Sequence, residues 1–111
     1  MAEVGADCVI AHLGLTVGGT IGLDRDDAME LGAAPGTVQA IGEAAWASNA
    51  EAILLCHGGP IATPEDAAFV LARCDAVGFV GASSMERLPV EVAITRTMRA
   101  FKGVPVKGTD G

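Results

Sequence analysis

Three short runs of apolar residues punctuate the chain: CVIA after Asp7, AILLC after Glu51 and AVGFV after Asp75. Each follows an acidic residue, which makes them an internal quasi-repeat. Nearly every position within a run is apolar, the pattern of parallel strands covered on both faces, whereas a strand with one wet face alternates. Parallel strands need crossovers, so helices are expected between the runs. Between the second and third, Thr63-Pro64-Glu65-Asp66 leads into AAFVLARC, with Thr63 as N-cap, Pro64 at the first helical position and acids in the first turn. After the third run, Ser83-Ser84-Met85-Glu86 fits a capping box led by Ser83, and Pro89 opens VEVAITRTMRAF. The pattern predicts a short helical turn there, then a full helix.

The first spacer is less regular, because Gly32 and Pro35-Gly36 interrupt it. It predicts a short helix near 24–31, with Asp24, Asp26 and Asp27 as its solvated start, and a main helix from about Thr37 to Ser48. Met1 to Gly5 reads as the last turn of a helix with its terminating glycine. The chain from Val104, VPVKGTDG, reads as a frayed tail. Residues 1–103 are therefore expected to form one partial domain, and 104–111 a tail.

A helix end followed by three strand–helix units leaves two architectures, an open doubly wound sheet or a slice of a (β/α)8 barrel. An open nucleotide-binding sheet carries its glycine-rich turn mainly after the first strand. Here all three strands end in glycine-bearing loops: LGLTVGGT at 13–20, HGGP at 57–60 and GASS at 81–84. Loading every C-terminal strand end is what a barrel does, since its site is assembled from all the loops at one rim. Loops after the last two strands often build a barrel's phosphate site, and HGGP and GASS fit those places.

Charge narrows the partners. Fourteen Asp and Glu against seven Lys and Arg give a net charge of -7, with no basic run to neutralise a phosphate backbone. Nucleic acid and anionic membrane are not expected partners. No apolar stretch approaches the roughly 18–20 residues that span a bilayer. Three cysteines, Cys8, Cys56 and Cys74, show no CxxC spacing and read as reduced packing residues of a cytoplasmic protein.

The rim loops hold the candidate chemistry. His12 and His57 sit at corresponding strand ends, where a neutral imidazole can polarise an oxygen or exchange a proton. Each alone also reads as a packed, hydrogen-bonded histidine. Glu86 joins them as a carboxylate beside the third loop. Gly58 and Gly59 could offer backbone N–H groups to an anion, or could simply be what a tight strand-to-helix turn requires. Gly81, Ser83 and Ser84 could supply further donors, with Ser83 alternatively serving as a cap. Arg87 suits a two-pronged clamp on carboxylate or phosphate, or an ion pair in a helix's first turn. Gly18, Gly19 and Thr20, with Thr16, could form a closing lid or a rigid turn. Cys56 and His57 are adjacent in a strand, so they point to opposite faces and do not serve one centre.

The blocks AHLGLTVGGTIG (11–22), ILLCHGGPIATPEDAAFVL (53–71) and GFVGASSMERLPVEVAI (78–94) resemble the phosphoenolpyruvate hydrolase-like TIM-barrel family, also called TIM-barrel signal-transduction proteins. That family occurs as the C-terminal domain of proteins similar to a plant antiviral resistance protein. The resemblance covers nearly the whole chain. It implies the last three βα units of a (β/α)8 barrel of the phosphoenolpyruvate/pyruvate superfamily. It implies a small anionic substrate, a phospho- or carboxy-enol or keto acid, and hydrolysis or C–C/P–C bond chemistry in a full-length protein. The alternative is a non-catalytic ligand-sensing or interaction module. The superfamily's metal-binding acids lie on earlier strands, so the resemblance allows a divalent metal such as Mg in a longer protein and transfers no metal ligand here. Three units of eight leave two strand edges unpaired, so a homo-oligomer is expected.

Overall fold

A computed structural model describes residues 1–22, 24 and 28–106. Three parallel strands, β1 (Cys8–His12), β2 (Ile53–His57) and β3 (Gly78–Phe79), form one sheet in that order. β1 and β2 pair over their whole length, from Cys8 opposite Ile53 to His12 opposite His57. β3 pairs only through Gly78 and Phe79, two residues where a run of five was expected.

The first crossover helix, α1, spans Ala34–Ser48 and buries Ala34, Pro35, Val38 and Gly42 in a stripe of helical period. It begins three residues before the expected Thr37. Pro35 lies within the first helical turn, where its missing N–H is no loss, so it starts the helix instead of interrupting it. Gly42 lets α1 approach the sheet, since a Cβ there would press on Leu54 and the Trp46 ring. Trp46 Nε1 donates to Ala52 O at 2.8 Å and ties the helix end to the start of β2. The expected helix at 24–31 falls partly on residues 25–27, outside the described residues. Asp24 and Ala28–Glu30 are not helical, and a single 3-10 turn covers Leu31–Ala33. The reading of Asp26 and Asp27 also lies outside the described residues.

The second helix, α2 (Pro64–Leu71), starts at Thr63 as its sequence predicts. Thr63 Oγ1 accepts from Asp66 N at 3.2 Å, and Asp66 Oδ2 accepts in return from Thr63 N at 3.1 Å and Ala62 N at 3.0 Å. Both crossover helices cover one face of the sheet. Ala11, Leu13, Val38, Leu54, Cys56, Ile61, Ala67, Val70 and Ala76 form the core between them. The opposite face, with Cys8, Ile10 and His12 beside Ile53, Leu55 and His57, is largely bare; Ile10 is 47% and Ile53 50% exposed.

The third unit does not close as expected. After β3 come a four-residue helix, α3 (Ser83–Glu86), and α4 (Leu88–Lys102), which buries no residue. α4 leaves Val90, Ile94, Met98 and Phe101 exposed, a stripe that would cover a sheet if one lay against it. Its projection sets the shape: the Cα radius of gyration is 19.4 Å, against about 13 Å for a compact domain of this length. The architecture is a mixed α/β parallel sheet consistent with a TIM-barrel fragment, in which two crossover units pack and the third strand's helix does not. At the N-terminus, a 3-10 turn over Ala2–Val4 ends at Gly5 with φ 95°, in agreement with the predicted stop. No helix among the described residues is long and apolar enough to cross a membrane.

Candidate functional site

Pairing of His12 with His57 across β1 and β2 puts both side chains on the bare face, at the C-terminal ends of the strands. Their rings meet edge to face, with centroids 4.9 Å apart and planes at 69°. Each is held by the backbone beyond its own strand. Gly14 N donates to His12 Nδ1 at 3.1 Å, and His57 Nδ1 lies 2.6 Å from Val80 O. The second contact joins the end of β2 to the residue after β3, just before the Gly81–Ser84 loop.

The glycines of the first two loops pack backbone on backbone. Gly58 and Gly59 have φ of 79° and 58°, a region that side chains other than glycine's rarely adopt. A Cβ on Gly58 would meet Gly14 O, and one on Gly59 would lie 2.6 Å from Leu13 O. Gly59 N donates to Gly14 O at 2.9 Å, and Val17 N to Gly59 O at 3.1 Å. Gly59's N–H is thus committed to the neighbouring loop, the tight-turn reading of HGGP. Gly58, Gly59 and Pro60 are buried.

A second cluster holds the far end of the first loop. Arg87 Nη1 donates to Gly18 O at 2.9 Å and lies 3.6 Å from Glu91 Oε1. Glu91 also accepts from Thr20 N at 3.1 Å and Thr20 Oγ1 at 3.0 Å. The Thr20 hydroxyl, then its N–H and the Arg87 guanidinium, hold the Glu91 carboxyl below the usual glutamate range. Gly19, at φ 77°, has no room for a Cβ between Arg87 and Glu91. Arg87 therefore grips the loop in this structure, where the sequence offered a ligand clamp or a first-turn ion pair. The ion pair forms, with Glu91 as its acid.

On the third loop the expected cap is displaced by one residue. Ala82, not Ser83, occupies the N-cap of α3, because the chain turns at Ala82, whose carbonyl accepts from Met85 N and Glu86 N. Ser83 is the first helical residue and makes no capping bond. The Ser84 hydroxyl is buried without a partner among the described residues. A Cβ on Gly81 would meet the flexible end of the Met85 side chain rather than backbone, so this turn is less crowded than the first two. Glu86 is exposed at the end of α3, with no hydrogen bond or ion pair to either histidine among the described residues.

The structure thus brings His12 and His57 together with Gly58, and separately brings Gly18, Gly19, Thr20 and Arg87 together around Glu91. Sequence reasoning missed Glu91 and Val80. The Arg87/Glu91 spacing of four was a visible sign of a helical pair, but Thr20 lies 71 residues away. Cys56 is fully buried on the helix-covered face, and burial raises its thiol pKa, so it stays protonated and away from the histidines. A shallow trough of about 650 Å³ runs along α4 from Thr20 to Arg99, formed by one helix face and a loop.

The fold and the rim can be set beside known proteins. The profile of the phosphoenolpyruvate hydrolase-like family matches residues 1–104. A tomato (Solanum lycopersicum) protein named ToMV susceptible protein tm-1(GCR26) is 53% identical over 108 residues, 96% of this chain and 14% of that protein's length. The tomato ToMV resistance protein Tm-1(GCR237) is 52% identical over the same shares. A Sinorhizobium fredii protein, y4pA, named as a proposed transcriptional regulator, is 31% identical over 93% of this chain and 17% of its own length. The chain spans about one-seventh of the length of the tomato relatives. Since the family profile takes in both packed crossover units, all three rim loops and α4, this chain belongs to the phosphoenolpyruvate hydrolase-like family.

Proposed function

We propose that residues 1–103 are the last three strand–helix units of a (β/α)8 barrel of the phosphoenolpyruvate/pyruvate superfamily type, and that their rim binds a small anionic enol or keto acid. The observation that carries this reading is the edge-to-face contact of His12 and His57 at neighbouring strand ends. The bare sheet face beneath them is the side a closed barrel would enclose. Ser83, Ser84 and Gly81 follow β3 at the same rim, and the unpartnered Ser84 hydroxyl is a donor in reserve. Gly58 and Gly59 shape the rim by drawing its loops together, Gly18, Gly19, Thr20 and Arg87 hold its first loop, and Glu86 is a further proton-transfer candidate.

In a longer protein the chemistry would be hydrolysis or C–C/P–C bond cleavage, with a divalent metal such as Mg held by residues outside this chain. The free thiols Cys8, Cys56 and Cys74 suit a reducing compartment such as the cytoplasm. A second reading, a non-catalytic ligand-sensing or interaction module, is favoured by the names of the relatives, which refer to virus susceptibility, virus resistance and regulation.

Calorimetric titration with phosphoenolpyruvate, inorganic phosphate and lactate tests the proposal. Binding of at least one is expected, weakened about tenfold by Ser83→Ala if that hydroxyl donates to the anion. If none binds, the anion site is wrong. Binding by a longer protein that contains this chain, without turnover of phosphoenolpyruvate, favours the sensing module.

A further inference from the structure

We infer that the His12–His57 pair is polarised, His12 presenting a hydrogen-bond donor and His57 an acceptor, so that the rim selects a 2-hydroxy acid or enol over a 2-oxo acid. The inference rests on the anion-binding reading above and revises its ligand class, setting the keto acid aside and adding the 2-hydroxy acid to the enol.

The backbone partners settle the tautomers. An amide N–H can only donate, so His12 Nδ1, 3.1 Å from Gly14 N, is the unprotonated nitrogen. In the neutral ring its proton then sits on Nε2. A carbonyl oxygen can only accept, so His57 Nδ1, 2.6 Å from Val80 O, carries a proton, which in the neutral ring leaves the Nε2 lone pair free. Two neighbouring rings, in register on the same sheet face, therefore offer opposite groups with the nitrogens not committed to backbone. Neither anchor is a mobile side chain: one is two residues along the loop, the other follows β3.

A ligand that bridges the pair must place an acceptor against His12 and a hydrogen against His57. A 2-hydroxy acid does both, with its carboxylate and its hydroxyl, and so does an enol acid. A 2-oxo acid offers only acceptors, which sets a lone pair of the ligand against that of His57 Nε2.

The chain has only two histidines, which makes the test direct. Nitrogen-15 spectra of the imidazoles, recorded by magic-angle spinning on sedimented protein so that self-association does no harm, are taken at about pH 8, above the ordinary histidine range. One ring protonated at Nδ1 and one at Nε2 are expected, and loss of the Nε2–H ring in His12→Gln assigns them. In parallel, lactate and pyruvate, monoanions that differ in hydroxyl against oxo, are titrated. Lactate is expected to bind about tenfold more tightly, the net worth of one hydrogen bond. His57→Gln, whose amide can donate as well as accept, should abolish that preference. Identical tautomers in the two rings overturn the inference whatever binds. Equal affinity for lactate and pyruvate, or a preference for pyruvate, overturns it and leaves the anion site standing. Failure of both acids, of phosphate and of phosphoenolpyruvate to bind overturns the two readings together.

Discussion

At Gly59 the backbone has no space for a side chain, since φ is 58° and Leu13 O would stand 2.6 Å from a Cβ. Gly59→Ala should therefore lower stability by about 1–3 kcal/mol, read as a fall in denaturation midpoint. An unchanged midpoint would show that the two loops can separate freely. Ser83→Ala is the complementary probe. Because Ala82 holds the cap position, the substitution should leave stability within about 0.5 kcal/mol while weakening anion binding about tenfold. A loss of stability without a loss of affinity would restore a structural role for Ser83. The thiols separate in the same way. Cys8 is exposed, whereas Cys56 is buried and held protonated by that burial. Iodoacetamide should label Cys8 and spare Cys56 until the protein unfolds; early labelling of Cys56 would mean that the core opens locally.

Helix α2 shows how an element can be specified by its own residues, since Thr63, Pro64 and Asp66 supply cap, first-turn geometry and reciprocal bond within four positions. Thr63→Ala should cost about 1 kcal/mol, measured by chemical denaturation. The first rim loop works differently, being held from outside by Glu91 and Arg87. Protonating Glu91 removes its charge and turns one of the two accepting oxygens into a donor, which weakens the bonds from the Thr20 N–H and hydroxyl. Its folded-state pKa lies below the ordinary glutamate value, so the latch is fully present above that value and is lost as pH falls through the folded one. The protection factor of the Thr20 amide, its exchange rate relative to that of a free amide at the same pH, should fall on acidification below the usual glutamate range. Glu91→Gln, with no charge to lose, should show a lower protection factor that does not change with pH across that range. A Thr20 amide equally protected across that range would mean that Val17, bonded to Gly59 O and 2% exposed, holds the loop alone.

Among the described residues one sheet face is buried and the other bare, with β1 and β3 as free edges and α4 carrying its apolar stripe into solvent. Unpaired edges beside exposed Ile10 and Ile53 invite association with further strands. We propose that the 111-residue chain is a homo-oligomer in solution, and light scattering should show a species larger than the 11.1 kDa protomer. A monodisperse 11.1 kDa species that melts cooperatively would count against this. Ile94→Glu with Phe101→Glu places charge on the α4 stripe without touching the sheet. If association persists in that double variant, the sheet face and edges drive it, and if it disappears, α4 does.

Local chemistry was enough to read the parallel strands, the α2 cap, the stop at Gly5 and the break between α3 and α4, because each depends on residues within one turn or one strand. The same logic misjudged Pro35, since a proline that ends a helix and one that starts it differ only in what precedes them. It also placed the α3 cap on Ser83, one residue late, because serine's propensity could not report where the chain turned. The candidate site was legible as residue types at strand ends, and His12 and His57 did come together once the register of β1 and β2 aligned them. What the sequence by itself determined was which residues stand at the rim, since strand ends and turn glycines are local features. Tertiary structure alone decided their partners: Gly59 N–H went to Gly14 O, Arg87 to Gly18 O, Thr20 to Glu91, and the two imidazoles to opposite backbone groups. The physical reason is that a hydrogen bond between Thr20 and Glu91, or between His57 and Val80, is chosen by strand register and crossover path, which no short window of sequence contains.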